Sequence, residues 1–220
     1  GDLIGNRKKI LSAYNKLVKQ KAELIVFPEL AVCGYPPRDL LMKSNFPKDV
    51  MDTLNHISSR IQEIPAIIGT IEIRSNKKNG RPLFNSIAWC HNGSIKKFGR
   101  KCLLPNYDVF DEERYFEPYK KPLVFQWKNK KIGITICEDI WIEEKIYKRR
   151  RYSHNPINFL KNEKIDILIN TSASPWYLNK ENTRRLLIKK VTKKLNVPVV
   201  YCNAIGGNDE LIFDGGSFIS

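Results

Sequence analysis

Short apolar runs that alternate with segments of helical periodicity constrain the fold of this chain more than any other feature. Runs rich in Ile, Leu and Val predict strands over 24–27, 65–71, 123–125, 131–137, 165–170 and 198–202. Apolar residues at helical spacing predict helices over 6–20, 46–64 and 181–195. Because the predicted helices are apolar on one side only, they should form outer layers over a buried sheet. The alternation predicts an α/β protein with a mixed sheet.

Turn signals add antiparallel pairing to this pattern. His91-Asn92-Gly93 separates two further predicted strands, over 84–90 and 94–98, and Asn-Gly is a strong hairpin signal. Phe213-Asp214-Gly215-Gly216 predicts a last turn. The stretch 143–164 is basic and weakly patterned, so no regular element is predicted there.

Composition limits the class of protein. The 220 residues suffice for one domain that buries its core without disulfides, and 42% hydrophobic with 28% charged residues is typical of a globular chain. No apolar run approaches the roughly 20 residues of a membrane helix. The five cysteines are odd in number and never spaced as C-x-x-C, which favours reduced thiols in the cytoplasm over disulfides or a metal site.

The net charge of +15 has two interpretations. It could indicate a nucleic-acid or anionic-membrane partner. It could equally reflect an A+T-rich gene, since Lys, Asn and Ile are all abundant. The basic residues are spread along the chain, with one run at 148–151, and no basic stripe with interleaved aromatic residues is present. We therefore expect neither a nucleic-acid nor a membrane partner.

Three reactive residues stand at or near predicted strand ends, and each has two interpretations. Cys137 ends an apolar run and is followed by two acidic residues; it is either a nucleophile, exposed by a strand-to-helix turn, or a core cysteine. Glu29 is either a desolvated base or the partner of a buried basic group. Lys101 belongs to a basic run in which most members must be solvated. The three histidines, His56, His91 and His154, supply no natural base for a Ser–His or Cys–His mechanism.

The three motifs around Glu29, Lys101 and Cys137 together indicate a protein family more specifically than any one of them alone. Val-Phe-Pro-Glu-Leu, Arg-Lys-Cys-Leu-Leu-Pro and Ile-Cys-Glu-Asp-Ile-Trp follow in that order, and this resembles the Glu–Lys–Cys catalytic set of the nitrilase superfamily. Longer blocks are similar to the glutaminase domain of glutamine-dependent NAD+ synthetases. They span 27–41, 104–116, 136–141, 172–175 and 206–217. The resemblance covers nearly the whole chain.

The resemblance implies a fold and a set of catalytic roles. The fold would be the αββα four-layer sandwich of the nitrilase, or carbon–nitrogen hydrolase, superfamily. Glu29 would be the general base, Cys137 would attack the side-chain amide of glutamine, and Lys101 would stabilise the oxyanion. Glu112 would be a second carboxylate that helps to hold the lysine and the substrate amide. A cysteine of ordinary pKa, about 8.5, is only a few per cent thiolate at neutral pH, so such neighbours are needed to activate it.

The same resemblance implies substrate contacts and partners. Tyr107, Ser174 and Lys180 fall where the family contacts glutamine. Residues 1–220 would form a glutaminase domain truncated at both ends, since the chain begins at Gly1-Asp2-Leu3 without a first strand or an initiator Met. This domain would need no cofactor; ATP and Mg²⁺ would serve only the missing C-terminal synthetase domain. The expected partners are glutamine, that synthetase domain and further copies of the chain in a homo-oligomer.

Two alternatives remain open at this point. A stand-alone nitrilase-type amidase that acts on another small amide would carry the same three residues. A basic, non-catalytic module that binds nucleic acid would account for the charge but not for the motifs. The segment 141–164 is longer and more basic than the family leads us to expect, and the role of its part from 143 to 164 is open.

Overall fold

The structure is a computed structural model that describes residues 1–75, 79–141 and 152–220. These residues form two compact units. The first comprises Gly1–Gly99 and Asn106–Glu117, and the second comprises Arg100–Pro105 and Pro118–Ser220. The basic run 148–151, and with it the part of the basic segment from 143 to 151, lies outside the described residues.

The first unit is a four-stranded sheet with two helices. Its helices are α1 (Leu3–Lys19) and α2 (Phe46–Ser58), and its strands are β1 (Ile25–Val26), β2 (Ala66–Ile73), β3 (Leu83–His91) and β4 (Ser94–Arg100). The strand order is β1-β2-β3-β4, with β1 parallel and β3 antiparallel to β2. Short 3-10 turns span Arg38–Met42 and Glu112–Arg114. The sheet is mixed, as the apolar runs and the hairpin signal predict.

Local sequence accounts for the ends of these elements. The Asp2 side chain caps α1 by accepting a hydrogen bond from the Gly5 nitrogen, so the helix begins three residues before the predicted start. The predicted end of α2 at residue 64 is wrong, because the helix ends at Ser58. The hydroxyls of Ser58 and Ser59 donate to the carbonyl oxygens three residues earlier, and such side chains compete with the helical hydrogen bonds.

The predicted hairpin is confirmed. Asn92 and Gly93 connect β3 to β4 with φ angles of +46° and +71°, the left-handed conformations that a two-residue turn between strands requires. The strand β3 is buried at nearly every position, which explains why most of its residues are apolar rather than alternating with polar ones; Asn85 and Ser86 are its buried polar residues.

The second unit is a five-stranded sheet with two further helices. Its strands are β5 (Leu123–Trp127), β6 (Lys130–Ile136), β7 (Ile167–Ser172), β8 (Val199–Asn203) and β11 (Phe218–Ile219), in the order β11-β8-β7-β6-β5. Strands β6, β7 and β8 are parallel, and both edge strands are antiparallel to their neighbours. A separate hairpin pairs β9 (Ile205–Asn208) with β10 (Leu211–Asp214). The helices are α3 (Pro156–Glu163) and α4 (Lys180–Leu195), and their apolar residues form one core cluster with this sheet.

Two elements of the second unit depart from expectation. The helix α3 lies in the stretch for which no element is predicted; it begins at an Asn-Pro pair whose Asn155 side chain accepts hydrogen bonds from the nitrogens of Ile157 and Asn158. The hairpin β9–β10 occupies a region for which no strand is predicted, and Phe213 and Asp214, with which the predicted last turn begins, are the end of β10. No helix among the described residues is long and apolar enough to cross a membrane.

Candidate active site

The first unit places Glu29 three residues beyond the end of β1, where the chain enters a turn. Its side chain is 2% exposed, and the next residue, Leu30, has a left-handed φ of +47°. Non-glycine residues in that conformation are uncommon and concentrate at functional sites. The turn packs on Gly69 of β2, where a Cβ would overlap the Pro28 carbonyl oxygen and come within 2.5 Å of the Leu30 nitrogen. A glycine at position 69 therefore makes room for the turn that carries Glu29.

One amide bridges two carboxylates in this unit. Asn85 of β3 donates from Nδ2 to Oε1 of Glu29 at 2.8 Å and to Oε2 of Glu112 at 3.1 Å. The Tyr35 hydroxyl donates to Oε1 of Glu112 at 2.9 Å. Glu112 begins its 3-10 turn and is 4% exposed. The structure thus brings together the two carboxylates that the resemblance assigns to the site, and neutral donors hold both of them.

Tyr107, a predicted glutamine contact, lies in the same unit and is half-buried. Its ring meets the Phe110 ring edge-on with 5.5 Å between centroids, and the Phe110 ring lies 6.5 Å from that of Tyr35. Aromatic contacts therefore connect Tyr107 to the phenol that holds Glu112. Its contact with glutamine stays a prediction.

The second unit places Cys137 directly after β6, as the first residue of a 3-10 turn that spans Cys137–Ile140. Its φ is +40°, which again puts a non-glycine residue in the left-handed region at a strand end. The predicted strand-to-helix turn is confirmed. The expected exposure is wrong, however, because the residue is only 7% exposed.

A single buried carboxylate ties this turn to the segment that carries Lys101. Asp139 accepts from the Ile136 nitrogen at 2.9 Å, and from the nitrogens of Cys102 and Leu103 at 2.9 and 2.8 Å. Burial raises the pKa of Asp139 to about 7, while the backbone donors and the Lys101 ammonium oppose that rise. Sequence reasoning missed the role of Asp139; its one signal is its place two residues after the candidate nucleophile.

Lys101 is 1% exposed, so it is not one of the solvated charges of its basic run. A buried ammonium needs compensating partners, and Asp139 supplies opposite charge in the same unit. The second unit therefore holds a candidate nucleophile and a candidate oxyanion-stabilising cation on two segments that Asp139 joins by hydrogen bonds.

The other two predicted glutamine contacts lie elsewhere in the second unit. The Lys180 ammonium stacks on the Trp141 and Tyr177 rings, 4.1 and 4.5 Å from their centroids. Ser174 is buried; its nitrogen donates to Oδ1 of Asn203, and its hydroxyl oxygen accepts from Nε of Arg184 at 3.2 Å. Both side chains are held by neighbours that the sequence does not single out. Their contact with substrate stays a prediction.

The remaining four cysteines have thiols of raised pKa. All five thiols are free, as the cysteine count predicts. Burial raises the pKa of Cys33, Cys90 and Cys202 to about 12, and it raises that of Cys102 still further with help from the Asp139 carboxylate. These four therefore form the reactive thiolate less readily than an ordinary cysteine, and Cys137 as the nucleophile stays a prediction.

Comparison with known proteins places the chain in a family. Residues 1–220 match the carbon–nitrogen hydrolases, and the protein belongs to that family. A glutamine-dependent NAD(+) synthetase of Synechocystis sp. is 40% identical over 221 residues, covering 99% of this chain and 40% of that protein. A protein of the same name from Acinetobacter baylyi is 36% identical over 219 residues, covering 100% of this chain and 38% of its own length. The chain thus spans about two fifths of the length of these curated relatives.

Solved structures agree. The glutamine-dependent NAD+ synthetase of Acinetobacter baumannii superimposes with a TM-score of 0.87 at 34% identity, over 99% of this chain and 38% of that one. An amidase from Nesterenkonia sp. gives 0.77 at 19% identity, over 99% of this chain and 76% of that one, and shares the fold. These findings confirm the α/β fold class of the nitrilase superfamily and the resemblance that the motifs indicate.

Proposed function

We propose that this chain hydrolyses the side-chain amide of glutamine through a cysteine thioester and supplies the ammonia for ATP-dependent amidation of deamido-NAD+ to NAD+. The observation that carries the proposal is the burial of an acid, a cation and a thiol at strand ends of a carbon–nitrogen hydrolase. Glu29, Lys101 and Cys137 are each at most 7% exposed. Burying ionisable side chains is costly, so three of them at strand ends favour a functional site.

The first half of the reaction forms the thioester. Sγ of Cys137 attacks the amide carbon while its proton passes to Glu29. The carbonyl oxygen becomes an oxyanion, which the Lys101 ammonium and the backbone N–H after Cys137 stabilise. The C–N bond then breaks, and the proton held by Glu29 goes to the leaving nitrogen as ammonia departs. One donor to an oxyanion is worth about 3–4 kcal/mol of barrier.

The second half releases glutamate. Glu29 takes a proton from water, whose oxygen attacks the thioester carbon, and the C–S bond breaks with return of the proton to the sulfur. Glu112 holds the arrangement through the amide that it shares with Glu29. No external oxidant or reductant is consumed in either half, and we expect ATP and Mg²⁺ to serve only the synthetase portion of the longer chain.

Substrate recognition would use the three remaining predicted residues. Lys180 carries a fixed positive charge suited to the α-carboxylate of glutamine, and two aromatic rings restrict its movement. Tyr107 and Ser174 offer hydroxyls for the amino-acid end of the substrate. We expect the protein to act in the cytoplasm, where thiols stay reduced, and to assemble as a homo-oligomer.

The test separates ammonia production from ammonia use. In the longer protein, Cys137→Ala should abolish NAD+ formation from glutamine and ATP but leave formation from ammonium salt within about twofold. Cys90→Ala, which removes a buried thiol near the end of β3, should change neither rate per folded molecule. Loss of both activities in a folded Cys137→Ala protein would contradict the proposed division of labour.

The alternative of a stand-alone amidase makes a different prediction. A panel of small amides at equal concentration should show glutamine as the preferred substrate by at least about tenfold in kcat/KM. Faster hydrolysis of an amide without an α-amino and α-carboxyl group would favour the amidase, because Lys180 would then have no carboxylate to bind.

A further inference from the structure

Asn85 occupies an unusual position among the buried asparagines of this protein. It lies on β3, is 1% exposed, and places its Nδ2 group between Glu29 and Glu112. Its Oδ1 atom is buried and accepts no hydrogen bond. The assignment of the two amide ends follows from chemistry, since an oxygen turned towards two carboxylates would repel both.

Other buried asparagines do not behave in this way. Asn170 of β7 donates to the Thr135 hydroxyl at 3.1 Å and accepts from the Ser172 hydroxyl at 2.7 Å. Asn203 of β8 donates to the Gly215 carbonyl and accepts from the Ser174 nitrogen. Both satisfy their donor and acceptor ends, as buried polar groups normally do.

The difference in hydrogen bonding between Asn85 and the other two asparagines indicates the role of Asn85. A side chain that served only to fill the sheet interior would pair its oxygen, because an unpaired buried acceptor is costly. Asn85 instead directs both amide hydrogens at the two acids and leaves its oxygen without a partner.

We propose that Asn85 is a positioning residue for the amide hydrolysis, one that fixes the rotation of the Glu29 carboxylate. Because the amide engages Oε1 of Glu29, the carboxyl group is held in one orientation at its last torsion angle. The same amide ties that orientation to Glu112, which Tyr35 holds from its other oxygen. Asn85 acts through Glu29 rather than on the substrate. This inference rests on the proposed function.

The experiment measures glutamine hydrolysis by the wild type and by Asn85→Ala, per folded molecule. We expect kcat to fall about 100-fold, the size of effect that a misplacement of about 1 Å produces, while KM for glutamine changes less than about threefold. Combined with Glu29→Gln, the Asn85→Ala change should slow the enzyme no more than about threefold further, because residues that act as one unit are not additive. Asn85→Ser, which keeps one donor at lower volume, should recover part of the loss.

A matched control is Asn170→Ala, the same change at a buried strand asparagine that bonds only hydroxyls; its kcat should stay within about threefold of the wild type. A further loss of about 100-fold in the Asn85→Ala, Glu29→Gln double variant would overturn the inference, as would an Asn85→Ala protein with unchanged kcat. If Asn85→Ala does not fold, an Asn85→Ser protein of wild-type kcat would overturn it equally. A folded wild type that releases no ammonia from glutamine would overturn the proposed function and this inference with it.

Discussion

The two units place their candidate catalytic residues with the help of different hydrogen-bond donors. In the first unit, the carboxylates of Glu29 and Glu112 accept hydrogen bonds from the side chains of Asn85 and Tyr35. In the second unit, the turn that begins at Cys137 is held by backbone N–H groups that converge on one carboxylate, Asp139. In both units a non-glycine residue with left-handed φ follows a strand: Leu30 lies four residues after β1, and Cys137 comes directly after β6.

The difference follows from what each group must do in the proposed reaction. A general base must present one particular oxygen, so its carboxyl group has to be restrained in rotation, and side chains can do this. A cysteine side chain has only one nucleophilic atom, its sulfur. Fixing the backbone at Cys137 is therefore enough to place that atom. Backbone strain of about 1–3 kcal/mol at such positions persists only where the surroundings impose it.

The largest expected effect tests whether the two sets of residues serve one chemical step. Glu29→Gln and Lys101→Met should each lower kcat for glutamine hydrolysis by at least about 10³-fold, because each removes a group required in the transition state. The double variant should lose little more than the worse single variant. Steady-state ammonia release measures kcat for the single variants and the double variant. A loss in the double variant equal to the product of the two single losses would show that the residues act independently.

The turn that carries Glu29 in the first unit can be displaced by a substitution in β2, the strand on which it packs. Gly69→Ala should displace the Pro28–Leu30 backbone, lower kcat by about 100-fold and destabilise the protein by about 1–3 kcal/mol. Gly207→Ala is a suitable control, since its nearest atom would lie 3.6 Å from the new Cβ. Denaturant unfolding and activity measure the pair, and an active Gly69→Ala protein would contradict the link between this glycine and Glu29.

The backbone anchor of the second unit makes a smaller prediction. Asp139→Asn should cost about 1–3 kcal/mol of stability and about tenfold in kcat, because an amide has one acceptor oxygen where three backbone donors need two. Asp166→Asn, at an exposed carboxylate that accepts from the Lys131 nitrogen, should change stability by at most about 0.5 kcal/mol. Equal unfolding midpoints for the two variants would show that Asp139 does not anchor the turn.

The smallest effect concerns the thiols. Since burial raises the pKa of Cys33, Cys90 and Cys202 to about 12, less than about one part in a thousand of each is thiolate below pH 9. Iodoacetamide at pH 7 should therefore label Cys137 first, and saturating glutamine should slow that labelling. Peptide mapping decides the point. Preferential labelling of Cys202, the most exposed of the five, would show that access and not chemistry controls reactivity.

Parts of this outcome can be read from local sequence. The strands β2 and β6 and the helix α4 follow from apolar runs and helical spacing within a residue or two. The hairpin at Asn92-Gly93 follows from its turn chemistry. Predictions failed where short-range polar contacts determine where a helix begins or ends. The serines at the end of α2 and the Asn-Pro pair at the start of α3 act over three or four residues, so they leave little periodic signal in the sequence.

The motifs alone predicted Glu29, Lys101 and Cys137 as the catalytic residues, since the three stand near strand ends in the order that the resemblance calls for. The tertiary structure decided how these residues are held. Asn85 lies 56 residues from Glu29 along the chain, and Asp139 lies 37 from Cys102. No periodicity or local propensity connects positions so far apart, because the hydrogen bonds between them form only when separate strands pair and bury both groups.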